Sequence, residues 1–152
     1  MQIRRAAVAD LPALNGLVQA AKAYEGRYRS ILDGYAITAV QVARDLMFLA
    51  ETPGGQLLGF YSLVTGPEPE LDLLFVADAA QGTGLGRALF EHLKATAQAA
   101  DITRVKIVSH PPSEGFYRKM GAMPVGIKAP TAKATWTRPI LELPVPGKYS
   151  RA

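Results

Sequence analysis

The chain has 152 residues, 49% of them hydrophobic and 20% charged, with a formal net charge of +4. That length suits one domain, and the composition is globular, which excludes a disordered or low-complexity chain. There is no cysteine, so disulfides, thiolate metal sites, iron–sulfur clusters and cysteine nucleophiles are excluded as well.

Residues 2–8 read as a first strand. Asp10 is placed to cap a helix with Pro12 in its first turn. Leu11, Leu14, Leu17, Val18 and Ala21 recur at helical spacing and predict an amphipathic helix ending near Ala23. Residues 24–37 are irregular and rich in tyrosine and arginine. A second helix is expected from Thr38, carrying Val42, Leu46 and Met47. Phe48 to Glu51 and Gln56 to Val64 flank Pro53-Gly54-Gly55 as a hairpin. Pro67 and Pro69 then break the chain before Leu71 to Val76, compact and apolar as a central strand should be.

Gly82, Gly84 and Gly86 open a helix whose apolar stripe is Leu85, Leu89, Phe90, Leu93 and Ala97. Thr103 to Val108 is another strand. Pro111-Pro112-Ser113 starts a short helix carrying Phe116, Tyr117 and Met120, with Gly121 just past its end. The proline-rich tail reads as a loop through Thr131, Lys133 and Trp136 and then one strand, Ile140 to Val145. The order β-α-α-β-β-β-α-β-α-β predicts an α/β (mixed α+β) domain spanning residues 1–152, a sheet flanked by helices.

No secretory leader is visible in the first 30 residues, and no apolar run approaches a membrane span of about 18 residues. The expectation is a soluble cytoplasmic protein without a membrane partner. Residues 1–80 carry six basic and nine acidic groups, net −3, and residues 81–152 carry eleven and four, net +7. A basic half is consistent with an anionic ligand or with a solvated surface. The basic residues form no run and no alternation with aromatics, so nucleic acid is not expected. His92 and His110 lack a ligand pattern, and no metal site is expected.

The sharpest feature is Val76-Ala77-Asp78-Ala79-Ala80-Gln81-Gly82-Thr83-Gly84-Leu85-Gly86-Arg87, a buried strand turning through glycines into a helix. First-turn amides of a helix lack internal partners and carry the positive end of its dipole. Glycines let an anion approach them closely. A diphosphate site and a mere tight turn both fit this pattern. The spacing is not the dinucleotide fingerprint, and no Gly-Lys-Ser/Thr of a P-loop is present.

The stretch Gln81-Gly82-Thr83-Gly84-Leu85-Gly86 resembles the acetyl-CoA signature of the GCN5-related N-acetyltransferases (GNAT), Gln/Arg-x-x-Gly-x-Gly/Ala. Leu73-Leu74-Phe75-Val76 is similar to that family's fourth strand. Phe116-Tyr117-Arg118-Lys119-Met120-Gly121-Ala122 resembles its Phe-Tyr-x-x-x-Gly-Phe element. The resemblance covers residues 2–145. It implies a mostly antiparallel mixed sheet splayed between strands 4 and 5, with acetyl-CoA as cofactor. Pyrophosphate contacts would fall to Gln81, Gly82, Thr83, Gly84, Leu85, Gly86 and Arg87, and pantetheine contacts to the main chain of Phe75 and Val76. His110 stands where many relatives have asparagine; it would cap the short helix, contact the coenzyme or face water. His92 is expected to be exposed.

Acetyl transfer to an amine needs a base to take a proton, a donor for the forming oxyanion and an acid for the departing thiolate. Tyr117 matches the family's tyrosine acid; a packed core tyrosine is its structural alternative. Glu70 and Asp72, two apart, share one strand face as candidate bases, with Leu71, Leu73 and Phe75 on the other. Asp72 is the preferred base, since partial desolvation raises a carboxylate's pKa. Tyr24, Glu25, Tyr28, Tyr35 and Trp136 are the candidate contacts to an amine-bearing acceptor, or else loop packing. The expected function is direct acetyl transfer from acetyl-CoA to an amine, more in keeping with a small molecule than a protein. A non-catalytic CoA or acyl-CoA binding module and a nucleotide-binding α/β enzyme are the rivals. A second copy of the chain is a candidate partner.

Overall fold

The computed structural model describes residues 1–21 and 26–148, Arg27 by its backbone alone. Seven strands form one sheet: β1 (Gln2–Arg5), β2 (Leu46–Glu51), β3 (Leu57–Val64), β4 (Glu70–Val76), β5 (Arg104–Val108), β6 (Met123–Lys128) and β7 (Arg138–Pro144). Among the described residues four α-helices accompany them: α1 (Leu11–Ala20), α2 (Ala39–Arg44), α3 (Leu85–Ala99) and α4 (Glu114–Lys119). Strand order is β1-β2-β3-β4-β5-β7-β6. Every neighbouring pair is antiparallel except β4 and β5, which are parallel.

Two apolar clusters cover the two faces. Leu14 and Val18 of α1 and Val42 of α2 pack with Met47, Leu49, Phe60 and Phe75 on one face. Leu89, Phe90 and Leu93 of α3 pack with Tyr61, Leu71, Ile107 and Leu141 on the other. Each fully buried leucine contributes about 2 kcal/mol of transfer free energy. Gly59 in β3 lets α3 approach the sheet. A Cβ there would lie 2.7 Å from the Phe75 carbonyl and 3.1 Å from Leu89 Cδ1. An isolated glycine within a strand often marks such a close approach.

Several sequence expectations are corrected. The second helix ends at Arg44, and Leu46 and Met47 belong to β2. Asp45 leaves the helix in an extended conformation, and pairing with β1 on one side and β3 on the other overrides the helical preference of Leu46 and Met47. The tail holds two strands, not one. β6 contains Pro124 and Gly126, which depress strand propensity, and only its position at the sheet edge accommodates them. Asp10 occupies the N-cap position of α1, but its side chain makes no capping hydrogen bond there. It closes the 3-10 turn Val8–Asp10 by accepting the Ala7 N–H at 2.7 Å, and it pairs with Arg4 at 2.8 and 3.0 Å. Arg4 holds the Asp10 carboxyl below the usual carboxylate range. His92 is half-buried rather than exposed: its Nδ1 lies 2.8 Å from the Tyr61 hydroxyl, and its ring packs on Phe48. Burial pushes the Tyr61 hydroxyl up to about 12.

β4 departs most from simple alternation. Ser62 faces Leu73 but Leu63 faces Leu71, so Asp72 is an extra residue, a bulge. The bulge moves Leu71 into the α3 cluster, while Leu73 and Phe75 stay with the α1 cluster. The three are therefore not on one face, as strict alternation would place them.

Candidate active site

The parallel pair β4 and β5 touches only at its start. Glu70 is in register with Lys106, and the Lys106 N–H donates to the Pro69 carbonyl at 2.9 Å. No further register pair follows, so the two strands part toward their C-terminal ends. A cleft of about 550 Å³ opens there.

The glycine turn stands at the mouth of this gap. Asp78–Ala80 makes a 3-10 turn, Thr83 Oγ1 donates to the Ala80 carbonyl, and α3 begins at Leu85. Gly82 and Gly84 have φ of +75° and +85°, conformations that side-chain-bearing residues rarely adopt. A Cβ on either would meet nothing within 4 Å, so backbone conformation rather than crowding selects glycine. Gly86 faces the Phe116 ring, 3.6 Å from an added Cβ. Gly84 is the N-cap of α3, and no side chain caps the helix. The first-turn amides of a 15-residue helix are thus left for an outside acceptor.

β4 contributes main-chain groups. The Ala77 N–H donates to the Leu58 carbonyl at 2.8 Å, toward β3. Strand alternation therefore turns the N–H and carbonyl of Val76 the other way, to the gap where β5 has departed. The Val76 carbonyl accepts from Gln81 Nε2 at 3.2 Å, which ties the glycine turn to the strand end. The same alternation directs the Phe75 main chain to β3, and its buried ring stacks on Phe60 at 5.8 Å.

The cleft brings together most of the sequence-predicted residues. Glu70, Asp72, Phe75, Val76, Gln81, Gly82, Gly84, Leu85, Gly86, His110 and Tyr117 all line it, with Tyr35 and Trp136. Thr83 and Arg87 are exposed beside it without lining it. Tyr28 stands behind the wall, edge-on to His110 at 4.7 Å and to Trp136 at 4.9 Å. Tyr24 and Glu25 lie outside the described residues. His110 is buried at the N-terminal end of the 3-10 turn Pro111–Ser113, with its side chain making no cap.

Asp72 has the accessible surface of an exposed residue, yet the bulge sets it inside a concave wall. Water reaches its carboxyl, but protein rather than bulk solvent surrounds it. That desolvation, with Glu70 and Asp45 adding negative charge, raises its pKa. Glu70 is held differently, 4.0 Å from Lys106 Nζ. Desolvation likewise raises the Tyr35 hydroxyl. Tyr117 is buried in α4, its ring against Phe90 and Phe116.

Lining residues that the sequence did not single out include Lys128 and Arg138. Both cations belong to the β6–β7 hairpin, whose first strand its proline and glycine concealed.

Residues 33–130 match the family model described as an acetyltransferase (GNAT) domain. This chain belongs to the GNAT acetyltransferase family. It is 34% identical over 70 residues to the 5-NmdU N-acetyltransferase of Pseudomonas phage PaMx11, a match over 44% of this chain and 50% of that protein. The chain thus matches about half the length of that curated relative. Among solved structures, the fold is similar to the ribosomal-protein-S18-alanine N-acetyltransferase of Escherichia coli. The TM-score is 0.72 at 23% identity, over 99% of each chain. It is also similar to the PaiA N-acetyltransferase of Thermoplasma acidophilum in complex with coenzyme A. There the TM-score is 0.70 at 16% identity, over 94% of this chain and 98% of that one. In this GNAT chain the splayed β4–β5 gap and the uncapped glycine turn fit a coenzyme. The turn offers amides to phosphates, and the gap offers the Val76 edge to an amide-bearing arm.

Proposed function

We propose that this GNAT chain transfers an acetyl group from acetyl-CoA directly to the nitrogen of an amine, with Asp72 as base and Tyr117 as acid. One observation carries the reading: a single cleft joins the uncapped glycine turn, the Val76 edge left by β5, Asp72 and Tyr117. Gln81, Gly82, Gly84 and Gly86 would hold the pyrophosphate, and Val76 the pantetheine. Bound there, acetyl-CoA supplies the thioester carbonyl as electrophile.

An ammonium has no lone pair, so the acceptor first gives a proton to Asp72. A carboxylate whose pKa is raised holds that proton better than an ordinary one. As the N–C bond forms and the C–S bond breaks, the Val76 N–H would donate to the carbonyl oxygen. The Tyr117 hydroxyl gives its proton to the departing sulfur, and the second proton that the nitrogen sheds on becoming an amide returns to the Tyr117 oxygen through solvent, so the products are the amide, free CoA thiol and the proton held by Asp72. With no cysteine in the chain, no acetyl-cysteine relay is available, and transfer is direct.

The acceptor in this reading is a small-molecule amine, and nucleic acid has no part in it. The relative's 5-NmdU acceptor supports an amine as nucleophile and is not carried over in its identity. The reading keeps a cytoplasmic setting; among the described residues no helix is long and apolar enough to cross a membrane. Release of free CoA thiol from acetyl-CoA over a panel of amines tests the activity. Amine-dependent release is expected, cut about 10²-fold in Tyr117→Phe with acetyl-CoA binding retained. Binding without release for any amine would leave a coenzyme-binding module instead.

A further inference from the structure

The wall of the cleft formed by β6 and β7 carries positive charge that the fold does not use. Lys128 and Arg138 are direct cross-strand partners, and both line the cleft. Like charges placed opposite each other in an antiparallel ladder repel. Among the described residues neither side chain has an ion-pair or hydrogen-bond partner. Among the same described residues the Arg138 Nε is moreover shut off from water with no acceptor. Two residues earlier, Trp136 lines the same cleft at 8% exposure, and its indole Nε1–H also lacks an acceptor among the described residues. Exposed cations need no partner, but buried N–H donors normally have one. Two such donors in one short stretch, one of them on the cation Arg138, with Lys128 as a second cation lining the same cleft, describe a site built for an anion.

This wall is on the acceptor's side. Trp136 packs on Tyr28, in the 3-10 turn Gly26–Leu32, and Lys133 is tied to that turn through Ser30 and the Asp33 carbonyl. Leu32 of the turn and Leu73, beside Asp72, belong to the α1-side cluster. The coenzyme's phosphates have the glycine turn, next to α3 on the other face.

Resting on the acetyl-transfer reading above, we infer that the acceptor carries a carboxylate as well as its amine. Arg138, Trp136 and Lys128 bind that oxyanion while Asp72 receives the amine. A guanidinium and an indole N–H suit a planar carboxylate, which takes two donors in one plane.

Trp136 is the sole tryptophan of the chain, so its fluorescence reports this site without any catalysis. The twenty amino acids and their α-amides are titrated into the protein with CoA present, and acetyl-CoA affinity is measured separately by calorimetry. Saturable emission changes are expected with one or more of the acids and at least tenfold weaker ones with the matching amides. Arg138→Gln should weaken acid binding about tenfold or more, leave acetyl-CoA affinity within twofold, and erase the acid-over-amide preference. Lys128→Gln, at an exposed position, should shift the same preference less. Equal response to acids and amides, or none to either, would overturn the inference. So would an Arg138→Gln variant that loses acetyl-CoA affinity instead, because the oxyanion would then be the coenzyme's. Failure of acetyl transfer shows only in thiol release, so it is told apart from failure of the carboxylate site.

Discussion

The two walls of the cleft would meet anions by different means. The glycine turn presents backbone amides at the start of α3 and needs no particular side chain. The β6–β7 wall presents side chains, Arg138, Trp136 and Lys128, on a hairpin. A backbone site suits a ligand part that does not vary, since it depends only on conformation. A side-chain site can be changed one residue at a time, which suits the part of the reaction where relatives differ. Between them Asp72 sits on a bulge, where the extra residue aims a carboxyl that regular alternation would have placed elsewhere.

The largest effect should come from that midpoint. Asp72→Asn is expected to lower amine-dependent thiol release about 10²-fold with acetyl-CoA affinity little changed. In the parent protein the rate should fall as pH drops through the raised Asp72 pKa, a limb absent from the variant. Stability should move the other way. The folded-state pKa of Asp72 lies above its unfolded value, so the folded chain binds more protons between the two. Stability is therefore lost as pH rises through that window. Asp72→Asn removes the loss, so at pH 7 the variant should unfold at a higher temperature, and below the ordinary aspartate pKa the two proteins should match. Melting curves at pH 3 and pH 7 would read this, and a variant less stable at pH 7 would argue against a desolvated carboxylate.

A smaller effect should separate the two walls. Gly84→Ala forces a side chain into a left-handed conformation, at about 1–2 kcal/mol. Coenzyme affinity should fall about tenfold, and the response of Trp136 to acceptor acids should hold. Movement of both together would show that the walls are not independent.

The smallest effect lies away from both. Arg4 bridges Asp10 and Glu51 at 2.8 and 2.9 Å. Asp10→Asn should cost about 1 kcal/mol near neutral pH and leave both affinities unchanged. The Asp10 pKa is lowered in the fold, so its contribution is lost as pH falls through that value, and the difference should vanish in acid.

The contrast between the walls also explains what was legible in the sequence. The glycine turn is contiguous, residues 81–86, and its chemistry follows from glycine and a helix start. Strand β4 and helix α4 were readable because their apolar spacing is local. On the other wall Trp136 and His110 could be named from the sequence, but their meeting through Tyr28, and with Lys128 and Arg138, depends on ring packing and on the β5–β7–β6 pairing. Pro124 and Gly126 hid the strand that brings Lys128 opposite Arg138. The bulge at Asp72 was equally hidden, since a register shift depends on the partner strand. His92 read as exposed because its hydrogen-bond partner Tyr61 is 31 residues away.

Calorimetric titration of acetyl-CoA into the parent protein, Gly84→Val and Arg138→Gln tests the central claim most directly. One saturable site is expected in the parent, weakened at least tenfold in Gly84→Val and unchanged in Arg138→Gln. No binding to the parent, or binding that survives Gly84→Val and disappears in Arg138→Gln, would contradict it.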